Sequence, residues 1–292
     1  MLILVTGGSG FIGKNLVEQL SGRHQVLAPS RAELDLLDAA AVRAWLGRHR
    51  PDAVIHSATT PGHRNAAPVG DLALRNLKMF FSLAESAQAF GRLIVLGSGA
   101  EYDQRCYRPK MSEEHAGVNV PADDTGFSKL VISRFVGQRP GWVHLRPFGV
   151  FGKYEDWEIR FISNAICKAI AGRDITLRQD RRFDYLYVDD LVEVVAHFLD
   201  PSVAGGVFNA TPDQTVSLLE VAGLVREVSG KDLRIVVGAP GQGLEYSGDN
   251  ARLRALLPSL RLTPLREAIG RLYRWYEENR GLIRDEALAT DK

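Results

Sequence analysis

The segment LILVTGGSGFIG, residues 2–13, decides the fold. It opens with a short run of aliphatic and β-branched residues, which is typical of a buried parallel strand. Apolar residues with helical spacing follow as far as Leu20. Glycine between a strand and a helix lets the backbone approach a pyrophosphate and present the N–H groups of the helix start. The spacing G-x-x-G-x-x-G therefore predicts a dinucleotide-binding turn at Gly7, Gly10 and Gly13.

Short apolar runs and helical patterns continue to alternate after this turn. The predicted strands cover 25–28, 53–56, 92–96 and 142–145, and the predicted helices cover 39–46, 69–90, 126–136, 159–171, 189–199, 217–229 and 264–278. This alternation predicts a Rossmann-type α/β fold, a doubly wound parallel sheet with helices on both faces. We expect a cofactor domain at 1–152 that also uses about 183–200, because 185–188 has the pattern of another core strand. Residues 153–292 should mainly form a smaller C-terminal α/β substrate lobe.

The overall composition excludes several classes of protein. The 292 residues include 36 Lys and Arg against 35 Asp and Glu, whereas a protein that binds nucleic acid usually has a basic excess. The two cysteines, Cys106 and Cys167, are too few for a disulfide framework, and no cysteine or histidine has metal-ligand spacing. Each apolar run is too short for a signal peptide or a membrane span. We expect a cytoplasmic protein that binds neither a metal, nor nucleic acid, nor a membrane.

Several further motifs follow the glycine turn in a characteristic order. They are VIHSA at 54–58, Asn76, Ser98, GFSK at 126–129, RPFGVFG at 146–152 and YLYVDD at 185–190. In this order they resemble the extended short-chain dehydrogenase/reductases of the NAD(P)-dependent epimerase/dehydratase family, which act on nucleotide sugars. The resemblance implies further cofactor contacts at Phe11, Ile12, Ser57, Ala58, Thr59, Asn76, Lys129, Pro147 and Val150.

The residues after the second predicted strand bear on the choice of cofactor. NAD-binding folds usually carry a carboxylate there for the ribose hydroxyls, but this strand runs into Ala28-Pro29-Ser30-Arg31. Ser30 and Arg31 suit a 2′-phosphate, because arginine offers a charged pair of donors. The resemblance places Asp35 and Leu36 at the adenine. We expect NADP(H), with NAD(H) as the alternative if Arg31 is only a solvated loop charge.

One catalytic position departs from the family pattern. Relatives combine a serine or threonine with a tyrosine and with a lysine four residues after the tyrosine, which lowers the phenol's pKa from its usual ~10. Here Ser98 and Lys129 match, but Thr125 replaces the tyrosine. The threonine hydroxyl is a far weaker acid and lies a whole ring short. Either another group supplies the proton (Tyr102, Tyr107 or a water held by Thr125 and Ser98), or the chemistry does not need a tyrosine, or the protein binds its ligands without efficient turnover.

The residues after Ser98 narrow the reaction. Sugar 4,6-dehydratases have Asp and Glu directly after the catalytic threonine, whereas Ser98 is followed by Gly99 and Ala100. GDP-fucose synthases use a cysteine two residues after the serine and a later histidine, and these positions match Ala100 and Arg160 here. We therefore expect a 4-keto-sugar reductase. The alternatives are a nucleotide-sugar 4-epimerase and a catalytically impaired protein that binds NAD(P) and a sugar nucleotide.

The resemblance also implies a substrate and an assembly. A nucleotide-diphosphate sugar or a related small molecule would contact Ser98, Gly99, Tyr102, Phe148, Trp157, Arg182 and Tyr187. Phe183 takes the place of the usual diphosphate-binding arginine, and Arg182 or Arg181 is the substitute. Relatives form homodimers through two long helices. The residues here that could form this interface, or else the chain's own core, are Leu77, Phe80, Leu130, Val131 and Phe135.

Overall fold

Strands and helices alternate in the first half of the chain, as the periodicity predicts. The computed structural model describes residues 1–60, 62, 66–67 and 69–289. The first elements are β1 (Leu2–Thr6), α1 (Phe11–Leu20), β2 (Gln25–Leu27), α2 (Ala39–His49), β3 (Ala53–His56), α3 (Leu72–Ala84), β4 (Arg92–Leu96), α4 (Asp124–Gly137) and β5 (Val143–Arg146). The predicted helix at 69–90 is shorter in the structure, because Asp71, directly before α3, has a φ of +56°.

The second half contains shorter strands between its helices. Its elements are β6 (Gly149–Phe151), α5 (Phe161–Ile170), β7 (Ile175–Asp180), β8 (Arg182–Phe183), β9 (Tyr185–Tyr187), α6 (Val188–His197), β10 (Gly206–Asn209), β11 (Val216–Ser217), α7 (Leu218–Ser229), β12 (Ile235–Gln242), α8 (Ala251–Leu256), α9 (Leu265–Glu278) and α10 (Asp285–Leu288). No helix in the described ranges is long and apolar enough to cross a membrane.

The central sheet is parallel throughout and has the strand order β10-β5-β4-β3-β1-β2. This confirms the predicted α/β architecture. The expected core strand at 185–188 is a different case, because β9 pairs with β6 in a separate two-stranded sheet, with Gly149 opposite Tyr185. β10 occupies the sixth place in the central sheet instead. A three-residue apolar run does not encode its partner, which explains the error. The division at residue 152 stays a prediction.

Apolar side chains of the central strands alternate between two cores. Ile3 and Val5 of β1 lie in one buried cluster and Leu4 lies in the other. The sheet is therefore covered on both faces, as a parallel sheet requires. α6 packs against α1, and its Leu191 belongs to the first of these clusters. A third cluster, between α5, α7 and α9, forms the core of the C-terminal lobe.

Candidate active site

The turn between β1 and α1 is closely packed. Gly7 has a φ of +72°, and a Cβ on it would lie 2.7 Å from Ala58 Cα. A Cβ on Gly13 would lie 2.0 Å from the Gly7 carbonyl oxygen, so the helix meets the turn backbone to backbone. The Gly10 N–H donates to the same carbonyl oxygen at 3.0 Å.

The start of α1 suits a bound phosphate. Gly10 is the N-cap residue and provides no side-chain cap, and the first turn contains no acidic residue. The amides of this turn carry partial positive charge, which attracts an anion. The residues present therefore fit the pyrophosphate of a dinucleotide.

A cleft of about 1540 Å³ runs past this turn, and most of the predicted cofactor residues line it. Those in its wall are Gly7, Gly10, Phe11, Ile12, Ser30, Arg31, Asp35, Leu36, Ser57, Ala58 and Thr59. The others are not in the lining: Gly13, Asn76, Lys129, Pro147 and Val150. Ligands bind in this crevice, outside the carboxyl ends of the strands, in open α/β sheets.

Two of the predicted cofactor residues outside the lining, Asn76 and Pro147, make hydrogen bonds with loops beside the cleft. The Asn76 amide oxygen accepts a hydrogen bond from the Thr60 N–H at 2.7 Å, and its nitrogen donates to Ser128 Oγ at 3.3 Å. The Pro147 carbonyl accepts from the Gly99 N–H at 2.9 Å. Asn76 thus connects the loop after β3 to α4.

The ribose end of the cleft contains both a cation and a carboxylate. Arg31 is 71% exposed along its side chain and lies 3.6 Å from Asp35. Glu33 also lines the cleft, and its Oε2 accepts a hydrogen bond from the Ser30 N–H at 2.7 Å. This bond lowers the pKa of Glu33. The sequence analysis missed Glu33, although the spacing Ser-x-x-Glu is that of a capping box.

The predicted catalytic residues come from two neighbouring elements. Ser98 follows β4 and caps a short 3-10 helix (Gly99–Glu101), where its Oγ accepts from the Ala100 N–H at 3.1 Å. Thr125, in the first turn of α4, lines the cleft, and a Cβ on Gly62 would lie 2.8 Å from its hydroxyl. Lys129 is buried and donates from Nζ to the Leu96 carbonyl at 2.6 Å. Burial lowers the pKa of Lys129 to about 8.

Glu101, the last residue of this 3-10 helix, is fully buried behind Ser98. Its Oε1 accepts from the Ser98 N–H at 3.1 Å and pairs with His144 Nε2 at 2.6 Å, while Oε2 pairs with Arg146. Burial by itself would raise the pKa of this carboxyl, but His144 and Arg146 lower it to about 2. Glu101 therefore acts as a structural anion and is not available as an acid toward the cleft.

None of the seven predicted substrate contacts, which include Ser98, Gly99 and Phe148, is in the lining of this cleft, and the side chains of the other four make different contacts. The set stays a prediction. Tyr102 is 1% exposed and donates its hydroxyl to Asn209 Oδ1 at 2.8 Å. Trp157 packs on the lobe core, and Tyr187 is buried against Phe151 with the ring centroids 5.5 Å apart. Arg182 donates to the Thr215 hydroxyl at 3.1 Å and to the Thr215 carbonyl at 2.8 Å. Each of these four side chains packs against other residues of the protein or bonds to Thr215, although the resemblance assigned it to the substrate.

Gly99 and Phe148 lie together beside Ser98. A Cβ on Gly99 would lie 2.5 Å from the Phe148 ring, so glycine is needed for this close approach. The Phe148 ring in turn packs on Tyr246, with the ring centroids 4.8 Å apart. The two predicted contacts therefore form one wall next to the serine.

Several residues that line the cleft were not predicted, among them Asp123, Glu155 and Asp156, whereas Tyr107, which the sequence offered as a proton donor, lines it too. Glu155 is buried, accepts from Ser163 Oγ at 2.6 Å and has its pKa raised by burial to about 8. Ala100 and Arg160, the positions matched to the cysteine and histidine of the fucose synthases, also line the cleft. Loop residues of this kind carry no periodicity that would reveal them.

The fold and the cleft together define a dinucleotide-binding enzyme of the Rossmann type. The chain belongs to the NAD dependent epimerase/dehydratase family, whose model matches residues 3–211. This confirms the family inferred from the motif order. The dTDP-4-dehydro-6-deoxy-D-allose reductase of a Streptomyces species is 26% identical, over 94% of this chain and 95% of that one. A probable GDP-L-fucose synthase of Drosophila melanogaster is also 26% identical, over 95% and 97%.

Solved structures share the fold along nearly the whole chain. The NADP-bound GDP-mannoheptose C4 reductase of Campylobacter jejuni superimposes with a TM-score of 0.79 at 20% identity, covering 94% of this chain and 98% of that one. The UDP-glucose 4-epimerase of Thermotoga maritima superimposes with a TM-score of 0.81 at 20% identity, covering 96% and 100%. At 20% identity these two superpositions show a shared fold and nothing beyond it.

Proposed function

We propose that this protein is an NADP(H)-dependent reductase of a 4-keto sugar carried on a nucleoside diphosphate. The observation that carries the proposal is the cleft, which joins the uncapped start of α1 to Ala100, Tyr107, Thr125 and Arg160. The names of the relatives, which include a 4-keto-sugar reductase, support the substrate class. Arg31 supports NADP(H) through its charge.

The side chains beside the reacting end favour chemistry at a single carbon. Ala100 has only a methyl group where the fucose synthases have a cysteine, and Arg160 has a guanidinium, which offers donors and no acceptor, where they have a histidine. Neither can remove a proton from the carbon next to the ketone. Glu101 is paired with His144 and Arg146, so it cannot serve the elimination that a 4,6-dehydratase needs. Reduction of the carbonyl remains.

The chain's own residues would hold the ligands in a defined order. The amides at the start of α1 bind the pyrophosphate, and Arg31 faces a 2′-phosphate. Lys129, which is buried, would hold the nicotinamide ribose. The reduced nicotinamide, when bound, supplies a hydride to the ketone. Ser98 is the hydroxyl that orients the carbonyl oxygen.

A 4-epimerase is the second candidate. Glu33 favours an epimerase, because its carboxylate already accepts the hydrogen bond of the Ser30 N–H. A carboxylate here would repel a 2′-phosphate and would suit the ribose hydroxyls of NAD. An epimerase keeps its NAD and consumes no reductant. A protein that binds both ligands without efficient turnover is a third candidate, because Thr125 lacks the family's phenol.

One assay separates these candidates. The purified protein is mixed with NADPH and a panel of dTDP-linked and GDP-linked 4-keto-6-deoxyhexoses, and the absorbance of the reduced nicotinamide is followed. A reductase consumes NADPH with at least one ketone. Copurified NAD with no NADPH consumption identifies an epimerase, and binding without oxidation identifies a binding protein. Dissociation constants that favour NADH would overturn the proposed cofactor preference.

We also propose a cytoplasmic homodimer that forms through α3 and α4. Leu74 on α3 and Phe127 on α4 are 49% and 40% exposed, and both are large apolar residues. Phe80 and Leu130, two of the predicted interface residues, are buried inside the chain instead. A monomer mass by light scattering would contradict this assembly.

A further inference from the structure

The cleft contains a phenol at a place the family pattern does not assign. Tyr107 lines the cleft together with Thr125, whose short side chain leaves the usual phenol missing. The Tyr107 ring packs against Tyr246, with the ring centroids 5.0 Å apart and the planes at 38°. Tyr107 is half-buried, so the protein holds part of its side chain while the residue still borders the cleft.

Tyr246 lies between this phenol and the segment that contains Ser98. Its ring packs on the Tyr107 ring, and its hydroxyl points toward the 3-10 helix that Ser98 caps. The same hydroxyl lies 2.6 Å from the position that a Cβ on Gly99 would take, which places it directly beside the serine. Phe148 packs on the Tyr246 ring, and the Tyr246 N–H donates to the Arg182 carbonyl at 3.0 Å. The side chain is therefore held at both ends.

The other tyrosine considered from the sequence does not qualify. Tyr102 is 1% exposed and its hydroxyl is committed to Asn209 at 2.8 Å. Its phenol therefore faces the core, away from any ligand in the cleft. Among the two, only Tyr107 lies in the cleft wall.

We propose that Tyr107 is the proton donor of this enzyme and that Tyr246, whose ring packs on the Tyr107 ring, is a positioning residue that orients the Tyr107 hydroxyl. The inference rests on the proposed reductase function. In the step, the carbonyl carbon accepts a hydride from the reduced nicotinamide dinucleotide and is reduced, and the carbonyl π bond breaks. The Tyr107 O–H bond breaks as a new O–H bond forms on the sugar oxygen. The resulting phenolate regains a proton from water.

The surroundings of Tyr107 keep its hydroxyl protonated. Burial, with smaller contributions from Asp123 and Asp103, raises the pKa of Tyr107 to about 12, against the lowering effect of Tyr246 and Arg181. The phenol is therefore protonated at neutral pH, and an alkoxide forming on the sugar is basic enough to take the proton. The reverse reaction needs the phenolate, so alcohol oxidation should be slow near neutrality and accelerate at alkaline pH.

The test compares Tyr107→Phe, Tyr246→Phe and a matched control, Tyr154→Phe, whose 38% exposed side chain lies outside the cleft lining. Each protein is assayed with NADPH and the ketone panel. We expect kcat to fall about 100-fold for Tyr107→Phe, the scale of a lost general acid. For Tyr246→Phe we expect a fall of about 10-fold in kcat with KM unchanged, since it acts through Tyr107. The control should match the wild type.

Two readouts do not depend on turnover. Titration of NADPH by its fluorescence should give the same Kd within about two-fold for all variants, which shows that each one folds. Calorimetric titration of the ketone without reductant should show affinity about five-fold weaker for Tyr107→Phe, because one hydrogen bond to the carbonyl is lost. Tyr246→Phe should bind the ketone normally.

The outcomes separate this inference from the proposed function. A wild type that oxidises NADPH, together with a Tyr107→Phe variant that keeps more than half of the kcat, overturns the inference alone. Unchanged ketone affinity in that variant counts against it equally. A wild type that oxidises no NADPH with any ketone overturns the proposed function and this inference with it.

Discussion

Substitution of Gly13 by alanine tests the packing of the dinucleotide turn. The new Cβ would lie 2.0 Å from the Gly7 carbonyl oxygen, 2.7 Å from the Gly7 carbonyl carbon and 2.9 Å from Gly8 Cα. All three atoms belong to the backbone, so no side chain can rotate away. Because real Cβ contacts essentially never fall below 3.0 Å, α1 must separate from the turn by about 1 Å.

Two magnitudes follow from this displacement. Overpacking costs about 1–3 kcal/mol, and a backbone obstacle puts Gly13→Ala near 3 kcal/mol in the free energy of unfolding. A displacement of about 1 Å at a binding site can also cost about 100-fold in function, so we expect NADPH affinity to fall by about that factor. Urea denaturation without cofactor measures the first effect, and fluorescence titration of NADPH measures the second.

Gly47→Ala is the matched control. Gly47 lies inside α2, and nothing lies within 4 Å of the added Cβ. Alanine is the better helix former there, so the variant should be more stable by up to about 1 kcal/mol and bind NADPH normally. If Gly13→Ala unfolds within about 0.5 kcal/mol of the wild type and binds NADPH as tightly, the argument from close packing is refuted.

Three more predictions concern the rest of the cleft. Glu33→Gln should tighten NADPH and weaken NADH in fluorescence titrations, because it removes the carboxylate bound to the Ser30 amide; an unchanged ratio would contradict this role. Thr125→Tyr should raise the rate of NADPH oxidation if a phenol is limiting, and no increase would show that the missing tyrosine does not limit turnover. Burial lowers the pKa of Lys129 in the folded protein from its ordinary value of 10.5 to about 8. Between these two pH values the lysine is mostly protonated in the unfolded chain and mostly neutral in the folded protein. Stability of the wild type relative to Lys129→Met should therefore rise by about 2 kcal/mol from pH 8 to pH 10 in urea titrations, and a flat difference would count against the buried ammonium.

The local elements could be predicted closely. β1, α1, β3 and β4 have the predicted bounds, because hydrophobic periodicity and the glycine turn are properties of consecutive residues. The partner of β9 could not be predicted in this way. A strand of three residues has too few side chains to specify which neighbour it pairs with, and β10 took the place in the central sheet.

The candidate site divides along the same line. Gly7 and Gly10 of the turn and the cofactor residues of the loop after β3 line the cleft, because they lie at fixed distances from strand ends. Tyr102, Trp157, Arg182 and Tyr187 hold motif positions, but the packing of the lobe turned them into the core or onto Thr215. Motif position specifies where a residue stands along the chain and leaves the direction of its side chain open.

The sequence by itself determined the class of fold, the glycine turn at 7–13 and the loss of the family's phenol at Thr125. Only the tertiary structure decided that Tyr107 lines the cleft, that Tyr246 packs on its ring, and that the Glu33 carboxylate accepts a hydrogen bond from the Ser30 N–H. The physical reason is the range of the interactions. Strand and helix patterns depend on neighbours a few residues apart, whereas Tyr107 and Tyr246 meet only because the C-terminal lobe packs against the carboxyl edge of the sheet.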